Sequence, residues 1–163
     1  MADTYAYFNK LKGLKIICLN IRSLINKIDE LKYYISLLKP NIICICETWL
    51  NSDIYDSEIN IEGYSVYRCD RKNNKKGRGI GIFVRQKSTL ECYIVDNNSD
   101  IEELTIRLKF VKSKQFFISC VYRPPNEINF NEKYLNFINK FRSKEHIIFG
   151  DFNYDLNNNE NNS

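Results

Sequence analysis

Apolar positions fall into short runs between polar connectors, and their spacing predicts an order of elements. Residues 15–20 (KIICLN) form an apolar run suited to a buried strand. Leu24, Ile28, Leu31, Ile35 and Leu38 then recur at alternating steps of four and three. That is one face of an amphipathic helix, which Pro40 stops. Residues 41–47 (NIICICE) are a second apolar run, so the opening reads strand, helix, strand. This order predicts a parallel pair with a right-handed crossover. Residues 64–68, 79–85, 92–95, 103–110 and 115–122 are strand-like stretches between turn-rich or charged connectors, which predicts an antiparallel meander. Asn131 caps a predicted helix through residue 142, with Tyr134, Phe137, Ile138 and Phe141 on one face. Residues 146–150 (HIIFG) form a last strand ending at Asp151, and the polar tail from residue 157 is expected to fray.

Composition narrows the class. A chain of 163 residues that is 44% hydrophobic and 27% charged suits one soluble domain with a packed core and excludes a disordered protein. No internal repeat or long linker divides it. No run approaches the roughly 18 to 20 apolar residues that span a bilayer, and the start lacks a secretory pattern, so an intracellular protein without a membrane partner is expected. The six cysteines then read as free thiols serving as small hydrophobes. Cys44 and Cys46, two apart instead of at CxxC spacing, are assigned to opposite strand faces, and no zinc site is expected.

Three polar clusters follow apolar strands directly: Asn20, then Glu47-Thr48-Trp49, then Asp151-Phe152-Asn153. If those strands are neighbours in one sheet, the side chains converge on one edge. Carboxylates and amide oxygens gathered there suit a hard divalent cation that serves a phosphate substrate. Turn formation is the simpler role for any one cluster alone. Separately, residues 68–87 carry Arg68, Arg71, Lys72, Lys75, Lys76, Arg78, Arg85 and Lys87 with only Asp70 opposing. Such a loop can contact DNA phosphates, or simply solvate a sheet edge. The glycine run at Gly77, Gly79 and Gly81 is followed by no helix, so neither a nucleotide site nor a small-molecule cofactor is expected.

These motifs, in order, carry a resemblance. Residues 20–24 (NIRSL), 47–50 (ETWL), 63–71, 77–82 (GRGIGI), 122–125 (YRPP) and 150–153 (GDFN) resemble the endonuclease/exonuclease/phosphatase family. Within it they are most similar to the apurinic-type endonuclease domain of non-LTR (LINE-like) retrotransposons. The resemblance spans residues 12–155, with 1–11 and 156–163 as flexible ends. It implies an α/β fold, a partial four-layer α/β sandwich of mixed, mainly antiparallel sheets with flanking helices, lacking its carboxyl-terminal strands. One sheet is then nearly complete, with part of its inner face uncovered.

The resemblance also implies roles. Glu47 and Asn20 match the positions at the metal, Mg²⁺ or alternatively Mn²⁺. Tyr122 matches a tyrosine that contacts the phosphate or helps activate water. Asp151 matches the aspartate that orients or deprotonates the attacking water, and Asn153 the asparagine on a phosphate oxygen. Arg68, Arg71, Lys72, Lys75, Lys76 and Arg78 are the candidate DNA contacts. Trp49 is assigned to the core, and residues 123–125 to a rigid turn that positions Tyr122. The family pattern continues with another acidic residue and a late Asp-His pair that do not occur here. His146 precedes Asp151 on a strand and is read as structural. The function implied is Mg²⁺-dependent DNA nicking, in the nucleus, by part of a polyprotein that carries a reverse transcriptase if the frame continues. The isolated chain is expected to be inactive or nearly so. Two alternatives stay open: another phosphoesterase of the same superfamily, and a non-catalytic nucleic-acid-binding or protein-binding remnant.

Overall fold

All five residues of strand β2 (Ile42–Cys46) are apolar and buried, and a strand apolar on both faces must be covered on both. The rest of the architecture supplies that cover. The computed structural model describes residues 2–70, 77–95, 99–125 and 127–154. Strand β1 (Ile16–Asn20) lies parallel to β2, with Ile16 opposite Ile42 and Asn20 opposite Cys46. Helix α2 (Ile28–Leu38) makes the crossover after a 3-10 turn over Ile25–Lys27. It ends as the sequence predicts, with Lys39 left-handed and its N–H on the Ile35 carbonyl, directly before Pro40. On the other side of β2 runs β4 (Ile80–Arg85), antiparallel, with β3 (Tyr64–Cys69) outside it, giving the order β1-β2-β4-β3.

A second sheet has the order β5-β6-β7-β8. Strands β5 (Leu90–Val95), β6 (Glu102–Phe110) and β7 (Phe116–Tyr122) form an antiparallel meander. Strand β8 (His146–Asp151) joins β7 in parallel after helix α3 (Phe130–Asn139). The five middle stretches are therefore not one meander. Residues 80–84 are buried throughout, and that run finds cover on both faces only inside the first sheet. Helix α3 also begins one residue before Asn131, with Asn129 as its N-cap. Its start is set by Phe130, buried against Tyr134 and Phe152, instead of by the predicted cap.

The two sheets pack face to face through Ile42, Cys44 and Cys46 of β2, Ile80 and Ile82 of β4, and Ile106, Ile118 and Cys120 of the other sheet. Cys44 and Cys46 thus share the inner face, as residues two apart in a strand must, which corrects their assignment to opposite faces. Leu31 and Ile35 of α2 cover the outer face of the first sheet at Ile43 and Ile45. Phe130 and Phe137 of α3 cover the second at Phe117 and Val121. Each such buried side chain contributes about 1.5–3 kcal/mol. The result is a four-layer α/β sandwich.

The expectation of one nearly complete sheet fails, because each half of the chain folds a sheet of its own and the two cover one another. Uncovered inner positions lie on both sides of the sandwich, at Ile94 of β5 on one and along β1 and β8 on the other. There β1 and β8, edge strands of their sheets, lie beside each other, and Cys18 and Ile147 are exposed. Residues 2–10, expected as part of a flexible end, form helix α1 (Ala2–Lys10). The Asn9 side-chain amide donates to the Leu37 carbonyl of α2 at 2.7 Å. No described helix is long and apolar enough to cross a membrane.

Candidate active site

In each sheet a parallel pair ends at the same rim of the sandwich. Asn20 closes β1 and Glu47 follows β2, while Tyr122 and Asp151 are register partners at the ends of β7 and β8. The clusters converge as the sequence suggests, but from two facing sheets instead of one. Asn20 is the link: its Nδ2 donates to Glu47 Oε1 at 2.6 Å and to Asp151 Oδ2 at 2.7 Å. One amide thus separates and satisfies two like charges.

The loops around these residues are held in an unusual backbone conformation. Nine described non-glycine residues have positive φ, and six of them, Arg22, Ser23, Glu47, Trp49, Arg78 and Asn153, ring the site. Such residues persist only where the surroundings over-determine them. Here backbone hydrogen bonds do so. Ser23 N–H donates to the Glu47 carbonyl and Leu24 N–H to that of Thr48, at 3.0 and 2.9 Å. Thr48 and Trp49 in turn donate to Gly79 and Arg78, each at 3.0 Å. The chain before β4 therefore buttresses the turn that aims Glu47.

Trp49, assigned to the core from sequence, is half-buried, and its indole N–H donates to Glu47 Oε2 at 3.3 Å. Tyr122 is buried and its hydroxyl donates to Glu47. Burial first, then the charges of Glu47, Glu102 and Asp151, pushes its pKa up to about 12. At neutral pH it is a hydrogen-bond donor and not a base. Asp151 Oδ1 accepts the Asn153 N–H at 3.2 Å, so both of its oxygens are oriented. The Asn153 side-chain amide donates to the Arg123 carbonyl at 2.7 Å, which ties the two loops together.

Sequence reasoning missed two residues here. Glu102, at the start of β6 opposite Tyr122, accepts the Gly79 N–H at 2.6 Å and lies 3.7 Å from Arg78. Burial raises its pKa, and the Gly79 N–H and Arg78 partly oppose that. The signal was parity, since Glu102 falls in step with inner-facing Leu104 and Ile106. Arg123 does more than set a turn. Its N–H donates to the Asp151 carbonyl at 2.9 Å, its guanidinium to the carbonyls of Phe152 and Asn153 at 3.3 and 3.0 Å, and it stacks on Tyr154.

The basic stretch does not act as one unit. The Arg68 side chain is 15% exposed and is bound by Asp70 and Asp56 at 2.6 and 2.9 Å. It also donates to the carbonyls of Asn51 and Ile54. Its assignment to DNA is therefore corrected: it pins residues 51–56 to β3. Arg78 stands exposed at the rim. Arg71, Lys72, Lys75 and Lys76 lie outside the described residues. His146 is far from this chemistry, on the outer face of β8. Its Nε2 bonds Ser119 at 2.7 Å, and Ser119 bonds Thr105 at 2.5 Å.

The donors converging on the rim are oxygen and amide groups, and among the described residues no three His, Cys, Asp or Glu side chains gather as a metal-holding group. Glu47 with the amide oxygen of Asn20 fits a hard cation that keeps most of its water. Residues 17–163 match the sequence profile of the endonuclease/exonuclease/phosphatase family. The chain belongs to that family. Family members are hydrolytic nucleases and phosphatases, which agrees with carboxylates and donors gathered at one rim. Among solved structures, the chain is similar to the endonuclease domain of TRAS1, a telomere-specific non-LTR retrotransposon. There the TM-score is 0.65 at 15% identity, covering 89% of this chain and 61% of that one. An AP endonuclease from Archaeoglobus fulgidus gives 0.59 at 20% identity, covering 86% and 57%. A 3′ phosphatase from Neisseria, bound to a product DNA hairpin, gives 0.59 at 16%, covering 86% and 58%. At such identities the likeness establishes the fold. The chain spans about three fifths of the first of these structures. No curated protein sequence matches it.

Proposed function

We propose that this chain carries the catalytic rim of a Mg²⁺-dependent DNA endonuclease, of the type that non-LTR retrotransposons join to a reverse transcriptase. The observation that carries the reading is the Asn20 amide bridging Glu47 and Asp151 from opposite sheets. A divalent cation held by Glu47 and Asn20 would supply charge neutralisation on the scissile phosphate. The chain's own groups do the rest. Asp151, oriented by Asn20 and the Asn153 N–H, takes the proton from an attacking water. The water oxygen bonds to phosphorus as the bond to the leaving deoxyribose oxygen breaks. Tyr122, kept protonated, turns its hydroxyl from Glu47 to a phosphate oxygen on which charge grows. Arg78 contacts the DNA backbone nearby. The similarity to TRAS1 supports the retroelement setting, and a DNA substrate in turn implies action in the nucleus.

A second reading, a DNA-binding remnant, draws on the sparse donor set, since Glu47, Glu102 and Asp151 at the rim do not gather as a metal-holding group among the described residues. For the same reason the 163-residue chain alone is expected to cleave slowly. Nicking of supercoiled plasmid with Mg²⁺ or Mn²⁺, against chelator and against Asp151→Asn and Glu47→Ala, separates the readings. Metal-dependent nicking lost in both variants supports the nuclease. Salt-sensitive DNA binding with no nicking in either metal supports the remnant. Hydrolysis confined to small phosphate esters would favour another phosphoesterase.

A further inference from the structure

At the rim, one carboxylate from the second sheet reaches across to the loop that opens β4 of the first. Glu102, at the start of β6, accepts the Gly79 N–H on Oε1 at 2.6 Å, and its Oε2 lies 3.7 Å from the Arg78 guanidinium. Its side chain is 14% exposed against 43% for Arg78, so the acid is the anchored partner and the arginine the accessible one. Gly77, Arg78 and Gly79 all have positive φ, a run that persists only where its surroundings hold it. Glu102 supplies a side-chain bond to that run.

We propose that Glu102 is a positioning residue of the rim: through Oε2 it sets Arg78 for a DNA phosphate, and through Gly79 it holds the turn behind Glu47. The inference rests on the DNA-cleaving reading above. A free arginine side chain samples many rotamers, and ordering it weakens each contact it makes. A fixed anion beside Arg78 narrows that search before DNA arrives. At 3.7 Å the pair is loose, so the guanidinium, a planar fork of five donors, keeps N–H groups for a phosphate.

The other oxygen acts further in. The Gly79 carbonyl accepts the Thr48 N–H and the Arg78 carbonyl the Trp49 N–H, each at 3.0 Å, and the Trp49 indole donates to Glu47 Oε2 at 3.3 Å. Through one backbone turn, Glu102 thus reaches the two residues that follow Glu47. Burial disfavours the Glu102 charge, and the Gly79 N–H and Arg78 oppose that. The three groups therefore hold one another in place.

Glu102→Gln separates the two oxygens in the full chain. Its amide oxygen still accepts the Gly79 N–H, whereas its NH2 group meets Arg78 donor to donor. Charge and positioning then predict opposite signs. Removing a negative charge from the rim would by itself tighten DNA binding, and loss of positioning weakens it. In a fluorescence anisotropy titration with a fluorescein-labelled duplex, Glu102→Gln is expected to bind about three- to tenfold more weakly than the wild type. In an Arg78→Ala background the same change should weaken nothing. Mn²⁺ affinity, read by electron paramagnetic resonance without DNA, should stay nearly unchanged in Glu102→Gln and fall about tenfold in Glu102→Ala, which loses the Gly79 bond. Circular dichroism checks the fold, and Glu102→Gln decides alone if the alanine variant does not fold. Binding by Glu102→Gln as tight as the wild type or tighter overturns the inference, while metal-dependent nicking by the wild type leaves the nuclease reading standing. Weakening that persists without Arg78 overturns it too, as does unchanged Mn²⁺ affinity in a folded Glu102→Ala. If the wild type binds no DNA or no Mn²⁺, the nuclease reading falls and the inference falls with it.

Discussion

Asn20 donates from one nitrogen to carboxylates belonging to opposite sheets, so its removal does two things at once. In Asn20→Ala, Glu47 and Asp151 lose their shared donor and face each other as like charges. A loss of about 10–100-fold in metal-dependent cleavage is expected, as for other partners that orient ligands; plasmid nicking measures it. Far-UV circular dichroism should show the fold intact. Arg68 makes the opposite kind of prediction. Because its guanidinium is bound by Asp56, Asp70 and two carbonyls, Arg68→Ala should lower unfolding free energy by about 1–3 kcal/mol. DNA affinity in a fluorescence anisotropy titration should stay unchanged, whereas loss of affinity with unchanged stability would return Arg68 to the DNA surface. The linear sequence does not separate Arg68 from Arg78, since the acids that bind Arg68 include Asp56, twelve positions upstream.

His146 supplies a pH prediction. Burial, then the charge of Lys144, lowers its pKa below the usual 6.5. The unfolded chain therefore takes up the proton first. The stability this histidine contributes is present above about pH 6.5 and is lost as pH falls through that value toward the folded pKa. Urea unfolding at about pH 7.5 and about pH 5 should show the loss in the wild type and a smaller one in His146→Gln. The comparison isolates His146 from Glu102, whose raised pKa acts in the opposite direction.

Among elements, β8 is the one whose placement decides the site. Gly150 precedes Asp151, and a Cβ built there would meet the Val121 carbonyl oxygen at 2.0 Å. Backbone would have to give way to backbone, so Gly150→Ala should cost about 1–3 kcal/mol in chemical denaturation and displace Asp151 from Asn20. Equal stability of the variant would show that β8 does not need this approach. Elements with a local cause were legible in the sequence. The four-three spacing and Pro40 define α2, and unbroken apolar residues mark β2. What was not legible is sheet membership. Runs 64–68 and 80–85 look like neighbours of the later strands until one asks which run needs cover on both faces, and that is a question about partners far along the chain.

At the scale of the molecule, the strand ends were legible as chemistry before they were legible as geometry. Asn20, Glu47, Tyr122 and Asp151 stand out because each closes an apolar run, and the structure brings them together. Their arrival from two sheets was not legible, since it depends on β7 and β8 pairing in a sheet that excludes β1 and β2. Charge behaves similarly. A net charge of +4 says little, but Arg78 on the rim, held by a buried acid, gives it a direction. Arg78→Ala should weaken DNA binding across sequences alike and reduce the slope of log affinity against log salt by about 1. Unchanged salt dependence would remove the rim from the DNA interface.

The bond between Asn20 and Asp151 joins positions 131 apart in sequence, so nothing short of the closed sandwich contains the site. A ribosome adding about 5–20 residues per second makes β1 and β2 long before it makes β8. During that interval Glu47 has no partner from the second sheet. The emerging chain therefore carries a divided rim, and Glu47 and Asp151 come to share one amide only when β8 folds against β7.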